Sequence, residues 1–277
     1  MTGIEVALNF EQTTREKLLM IVDCHTHLYS DGTRISPQEH RSACKDLDAC
    51  IVLAGCQGDR RSANEALSDY VRQNSKAVGF ATINPTEDPV TVRQLKKEVL
   101  DKDLRGLVLY CAEERFHPAH SQAMNLYEAA AELNLPIFFH NCPPFSQQAV
   151  MDYARPFQLD EIARTFPTLK IVVGRMGFPF IEQTWCLLGK HENVFADLTI
   201  IPQKVWEVYN LVMSAYEAGV MDRLLFGSGY PYALPQTCIE ALLGFNKMLS
   251  DTHLPQVPRE KLRSVIERDS LAALGLK

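Results

Sequence analysis

Ile21-Val22-Asp23-Cys24-His25-Thr26-His27 starts as a β-branched apolar run and ends in two imidazoles. Seven further short apolar runs follow, at 49–54, 77–82, 106–110, 136–140, 170–174, 193–197 and 223–226, each separated from the next by a longer stretch with helical spacing. Alternation of this kind is how a parallel sheet with crossover helices reads in sequence. Eight runs, the first included, is the number that closes a barrel, so the expected fold class is α/β, a single (β/α)8 TIM barrel.

The intervening segments carry helix signals. Residues 118–133 begin with Pro118 and place Leu126, Ala129, Ala130 and Leu133 on one face, with Asn134 as the stop. Residues 202–218 place Val205, Val208, Tyr209, Val212 and Tyr216 together and end at Gly219. Because no repeat, linker or low-complexity tract divides the 277 residues, they are read as one domain. Within it, 1–20 is an N-terminal extension that caps the barrel bottom, 21–250 the barrel, and 251–277 closing C-terminal helices.

Composition narrows the function classes. The chain has 28 Lys and Arg against 34 Asp and Glu, a formal charge of −6, so it offers no polycationic surface for nucleic acid or anionic lipid. There is no apolar run long enough for a membrane helix and no secretion-type start, which makes the cytoplasm the expected location. Eight cysteines are scattered singly without a C-x-x-C pair, and most are read as reduced, small core residues.

Strand alternation turns His25 and His27 to the same side, about 7 Å apart along the backbone, which is chelating geometry. Both sit at the C-terminal end of the first strand, where this fold builds its sites. His140 ends the fifth run, after Pro136-Ile137-Phe138-Phe139, and points toward the same mouth. Three neutral imidazoles suit one divalent metal ion, zinc above all, with an open position for a ligand. By the same alternation Cys24 should face outward.

These landmarks resemble the amidohydrolase superfamily, in its amidohydrolase-related branch that includes aminocarboxymuconate semialdehyde decarboxylase-like enzymes. The resemblance runs through 21–27, 135–140, 166–173, the stretch Asp222-Arg223-Leu224-Leu225-Phe226-Gly227-Ser228, Tyr230-Pro231-Tyr232 and the closing 272–276. It implies that His25, His27 and His140 bind one divalent metal. It also implies an eighth-strand Asp and a sixth-strand His, and at those two places this chain has Gly229 and Arg175. Glycine can neither ligate nor take a proton, and a guanidinium is a poor general base.

Arg175 is read instead as the grip on an anionic group of a small-molecule substrate, with an intrabarrel ion pair as the competing reading. Tyr230 and the Pro- and Phe-rich loops are expected to line the cleft. Asp197, Cys111, Glu113, Glu114 and Cys142 are the strand-end groups that could replace the missing carboxylate. For Asp197 the stronger reading is a buried carboxylate that accepts loop amides. His117 and His120 are read as helix-start contacts.

The expected function is a metal-dependent hydrolase of amidohydrolase type, or a nonoxidative decarboxylase, acting on a small anionic organic substrate. The alternative is a catalytically degenerate barrel that binds a small anion or serves as a scaffold. A homodimer is left open by the sequence.

Overall fold

The computed structural model describes residues 20–30 and 33–276. The eight expected runs form one parallel sheet, in the order β1 (Val22–Thr26), β2 (Ala49–Leu53), β3 (Ala77–Thr82), β4 (Leu104–Leu109), β5 (Ile137–Phe139), β6 (Ile171–Val173), β7 (Val194–Thr199) and β8 (Leu224–Gly227). Two backbone bonds close the barrel, Gly229 N–H to the His25 carbonyl and His27 N–H to the Tyr230 carbonyl, both 2.8 Å. The (β/α)8 expectation is therefore met, and the seam runs through the histidine pair. A two-stranded ribbon, Tyr29–Ser30 with Thr33–Arg34, follows β1.

Helices cover the outside: α1 (Pro37–Ala43), α2 (Arg60–Arg72), α3 (Val92–Glu98), α4 (Ser121–Glu132), α5 (Asp160–Thr165), α6 (Ile181–Lys190), α7 (Val205–Glu217) and α8 (Pro235–Leu243). α1 starts at a capping box, in which Ser36 accepts from the Glu39 amide and the Glu39 carboxylate accepts from the Ser36 amide. α4 begins three residues later than Pro118 suggested, because His120 serves as its N-cap, with Nδ1 accepting from the Gln122 amide at 3.2 Å. That capping role is the one expected of His120. His117 likewise accepts from the Ala119 amide at 3.0 Å. No helix among the described residues is long and apolar enough to cross a membrane.

Alternate residues of each strand divide two apolar layers. Inside, Val22, Ile51, Phe80, Val108, Phe138 and Leu225 fill the barrel; outside, Val52, Leu107, Phe139, Ala196 and Phe226 meet the helices. The tail supplies α9 (Arg259–Ile266) and α10 (Ser270–Ala273), and it is this tail that plugs the bottom, with Leu271 and Leu274 in the interior cluster beside β1. Apart from Met20, the expected N-terminal cap lies outside the described residues.

A plug of this kind predicts that Leu274→Ala, at a side chain 1% exposed, destabilises the barrel by about 2–4 kcal/mol in urea titration. A loss under about 0.5 kcal/mol would show that the tail does not seal the core.

Candidate active site

The site begins with an irregularity in β1. Asp23 pairs with Cys50 and Thr26 with Val52, so Cys24 and His25 together face the single residue Ile51. Such a bulge resets the alternation of side chains. Asp23 and Thr26 point outward, while Cys24, His25 and His27 all turn inward. Cys24 is thus corrected from an outward residue to part of the barrel's interior packing.

The three imidazoles meet at the mouth. Ring centroids are 5.0 Å apart for His25 and His27, 4.9 Å for His25 and His140, and 5.0 Å for His27 and His140, nearly an equilateral triangle. One nitrogen from each ring lies within 4.8 Å of the others, and the Nε2 atoms of His25 and His27 are 3.1 Å apart. His140 is held by its amide, which donates to the Leu109 carbonyl of β4 at 2.9 Å.

Acceptors behind two of the rings decide where their protons sit. His25 Nδ1 is hydrogen-bonded to Asp197 Oδ2, and His27 Nδ1 lies 3.2 Å from the Leu53 carbonyl. A carbonyl or carboxylate only accepts, so each Nδ1 carries the proton and each Nε2 lone pair faces its neighbours. Burial pulls the His27 imidazole down to about 3, with His25 adding to the fall. Burial, then His25 and His27, hold His140 well below the ordinary histidine value. These are neutral ligands.

Asp197 is inward-facing on β7, as the alternation Phe195, Asp197, Thr199 requires. Oδ1 accepts the backbone N–H of Arg175, and the Thr199 hydroxyl donates to Oδ2 at 3.1 Å. It therefore accepts a loop amide as expected, but its second function, orienting His25, is one the sequence reading missed. The period-2 pattern through Asp197 and Thr199 was the available signal. Asp23 plays a related part at the seam, where Oδ1 accepts from the His25 and Ser228 amides, both at 3.0 Å. Burial pushes its carboxyl up to about 7.

Arg175 follows β6 with a left-handed backbone, φ 48°, as does Met176 at 49°. Its guanidinium is not free in the mouth. Nη2 pairs with Glu207 of α7, Nη1 lies 3.4 Å from the Pro143 carbonyl, and the group sits 5.1 Å over Phe178. Glu207 was not singled out by sequence, since nothing local marks it. The Tyr230 ring also departs from expectation: it lies edge-on to His40 at 5.5 Å and lines a separate depression above α1.

A cavity of about 720 Å³ opens over the triangle, with His27 and His140 at its floor. Tyr110, Tyr232, Cys142 and residues 143–145 form its aromatic and apolar wall, while Cys56, Asp59 and Glu113 stand across from them. Glu113 accepts the Ser146 amide at 2.9 Å and Asp59 caps α2, so both carboxylates are engaged in holding loops. Cys111 is buried in the outer apolar layer, and Glu114 is tied to Arg60 at 3.0 Å.

Residues 22–263 match a protein-family model described as Amidohydrolase. No curated protein matches the sequence. Solved structures do. A probable 2-pyrone-4,6-dicarboxylic acid hydrolase from Acinetobacter baumannii, with citric acid bound, aligns at TM-score 0.67 and 13% identity over 92% of this chain and 99% of its own. The 5-carboxyvanillate decarboxylase of Sphingomonas paucimobilis aligns at 0.65 and 13%, over 94% and 100%. That of Novosphingobium aromaticivorans, complexed with manganese and 4-hydroxy-3-methoxy-5-nitrobenzoic acid, aligns at 0.66 and 12%, over 94% and 97%. At these identities the likeness shows the shared barrel.

Two outcomes follow from the charges. Glu207→Gln strands a buried guanidinium and should cost about 3 kcal/mol in denaturant titration, whereas replacing the pair by Arg175→Met with Glu207→Leu should recover most of it. Equal losses in both proteins would refute an ion-pair role. A histidine kept neutral in the fold but protonated when unfolded makes the unfolded chain the greater proton binder. Stability of the metal-free protein should therefore fall as pH drops from 6.5 toward 3, and fall less steeply in His27→Asn. An unchanged slope in that variant would count against it.

Proposed function

The chain belongs to the amidohydrolase family that its residues 22–263 match, and from that we propose that it is a metal-dependent hydrolase or nonoxidative decarboxylase of a small organic acid. One observation carries the reading. Three ring nitrogens converge within 4.8 Å, and the far sides of His25 and His27 are tied to acceptors that leave Nε2 free to bind. Neutral nitrogen donors with a carboxylate behind one of them fit a divalent ion such as zinc or manganese. Bound there, the ion would supply Lewis acidity to an oxygen of the substrate.

The protein's own groups do the rest. Asp197 fixes the His25 tautomer and places a negative charge behind the ring, and Thr199 holds Asp197. Tyr110 and Tyr232 offer aromatic walls to a flat ligand, with the Tyr110 hydroxyl locked on the Ala54 carbonyl at 2.8 Å. Arg175 acts first through its backbone N–H, which orients Asp197. Its guanidinium reaches a substrate anion only by exchanging Glu207. Tyr230 contributes its carbonyl, which accepts the His27 amide, rather than its ring.

An anionic substrate is supported by the carboxylate compounds named with the neighbouring structures, among them a dicarboxylic acid hydrolase and two carboxyvanillate decarboxylases. A second reading, a barrel that binds such a ligand without turnover, is favoured by Gly229. Its φ is +66°, and a Cβ there would lie 2.9 Å from Thr199 Cγ2. Among the described residues no carboxylate joins the three imidazoles as a fourth donor.

Elemental mass spectrometry of wild type, His25→Ala and His140→Ala decides the metal. Each variant should hold one equivalent less than wild type, and Asp197→Asn should bind that equivalent about 10- to 100-fold more weakly. Metal content identical in all of them would sink the proposal. Aromatic and pyrone carboxylates then separate the two readings: turnover lost in His140→Ala marks an enzyme, and binding without turnover marks the degenerate barrel.

A further inference from the structure

A second group of metal-type side chains lies on the other side of β1. His40 and Cys44 are four residues apart on α1 and its C-cap, hence on one face, and Cys50 rises from β2 beneath them. The imidazole nitrogen and both sulfurs lie within 4.8 Å of one another, and the three residues are 0%, 5% and 1% exposed. Tetrahedral zinc with Zn–S of about 2.3 Å and Zn–N of about 2.0 Å would need donors about 3.4–3.8 Å apart. A contraction well under the reach of side-chain rotation supplies that.

Asp23 adds an independent observation. It is the cross-strand neighbour of Cys50 and faces the same outer layer. While Oδ1 accepts two amides, Oδ2 is buried and has no partner. An orphaned buried carboxylate oxygen is costly, and an adjacent cation would remove the cost. Around it the layer holds Leu28, Leu47, Val52 and Ala77, with the Ser228 and Thr26 hydroxyls as its polar neighbours.

His40 is held by hydrogen bonds at both ring nitrogens. Its Nδ1 meets the Tyr70 hydroxyl at 2.7 Å, and Nε2 lies 3.0 Å from Thr26 Oγ1 and 3.9 Å from Cys44 Sγ. The Thr26 hydroxyl donates to the Ile51 carbonyl, so without metal the His40 proton sits on Nε2. Moving it to Nδ1 requires the Tyr70 hydroxyl, which already accepts from Asn74 Nδ2 at 2.7 Å, to turn its own proton away from the ring and accept there as well, and it frees the Nε2 lone pair toward the sulfurs. The Cys44 thiol is drawn down by the Cys50 thiol and by His40, while the Cys50 thiol is pushed well up by Cys44 and by burial, so Cys44 is the sulfur nearer the thiolate form that metals bind.

We propose that His40, Cys44 and Cys50, with Asp23 as the neighbouring counter-charge, form a second, structural site for a thiophilic divalent cation such as zinc. Binding leaves both sulfurs as thiolates, and any proton still held on Cys44 or Cys50 passes to solvent. The cation would brace β1 from behind, through the same Asp23 that holds the His25 amide. It is separate from the three-histidine mouth and stands or falls apart from it.

The test is cobalt(II) titration of the reduced, chelator-treated full chain, followed by displacement with zinc. Wild type should take two equivalents and show thiolate-to-metal charge-transfer absorption. His140→Ala should keep that band while losing one equivalent. Cys44→Ser and Cys50→Ser should each lose the band and one equivalent, and Asp23→Asn should weaken it tenfold or more. Should a serine variant not fold, wild type decides alone: folded, reduced protein without the band overturns the site. A band lost in Cys142→Ser but kept in Cys44→Ser would put the thiolate in the cavity and overturn it too, as would a Cys44–Cys50 disulfide in the protein as isolated.

Discussion

The seam between the first and last strands is the constraint on which the rest of the structure depends. β1 and β8 meet through only two backbone hydrogen bonds, and both involve the residues that carry the inner histidines. They can come that close because Gly227 has no side chain. A Cβ there would lie 2.5 Å from Thr199 Oγ1 and 2.9 Å from His25 Cβ. Close approach of β8 presses His25 against Asp197 and Thr199, so the closure of the barrel and the orientation of a metal-type ligand are one event.

Charge in the interior is balanced group by group. His27 and His140 stay neutral because burial penalises their protonation. Asp197 is surrounded by donors, from Arg175, Thr199 and His25. The Arg175 guanidinium drawn into this region is matched by Glu207, whose other oxygen lies 3.6 Å from Lys204. A buried pair of this kind contributes little net stability, but either partner alone would be expensive. At the mouth the lone pairs converge without an internal counter-group among the described residues, a place where a cation and an acidic ligand would complete the balance.

The bulge in β1 separates two chemistries on one strand. His25 and His27 face the mouth, and Asp23 and Thr26 face the layer of His40, Cys44 and Cys50. Asp23 belongs to both, since its Oδ1 holds the seam while its strand position pairs it with Cys50. Rigid positioning of a site from behind is the usual requirement for a ligand set that must hold its geometry. Here the support comes from the opposite face of the same sheet.

Much of this was legible in the chain itself. Eight β-branched runs separated by helical spacing specify the barrel because parallel strands buried on both faces must be apolar and crossovers must be long. The position of His25, His27 and His140 at strand ends likewise followed from periodicity, which local backbone geometry enforces. What periodicity could not register was the single extra residue in β1, which turned Cys24 inward, or the direction in which the Arg175 and Tyr230 side chains leave their loops. Those depend on partners distant in sequence: Glu207 is 32 residues from Arg175, and Asp197 is 172 from His25. Local sequence determined the sheet and which residues reach its mouth; only tertiary packing decided which charges and lone pairs would find a partner there, because burial makes that pairing obligatory and no local pattern encodes it.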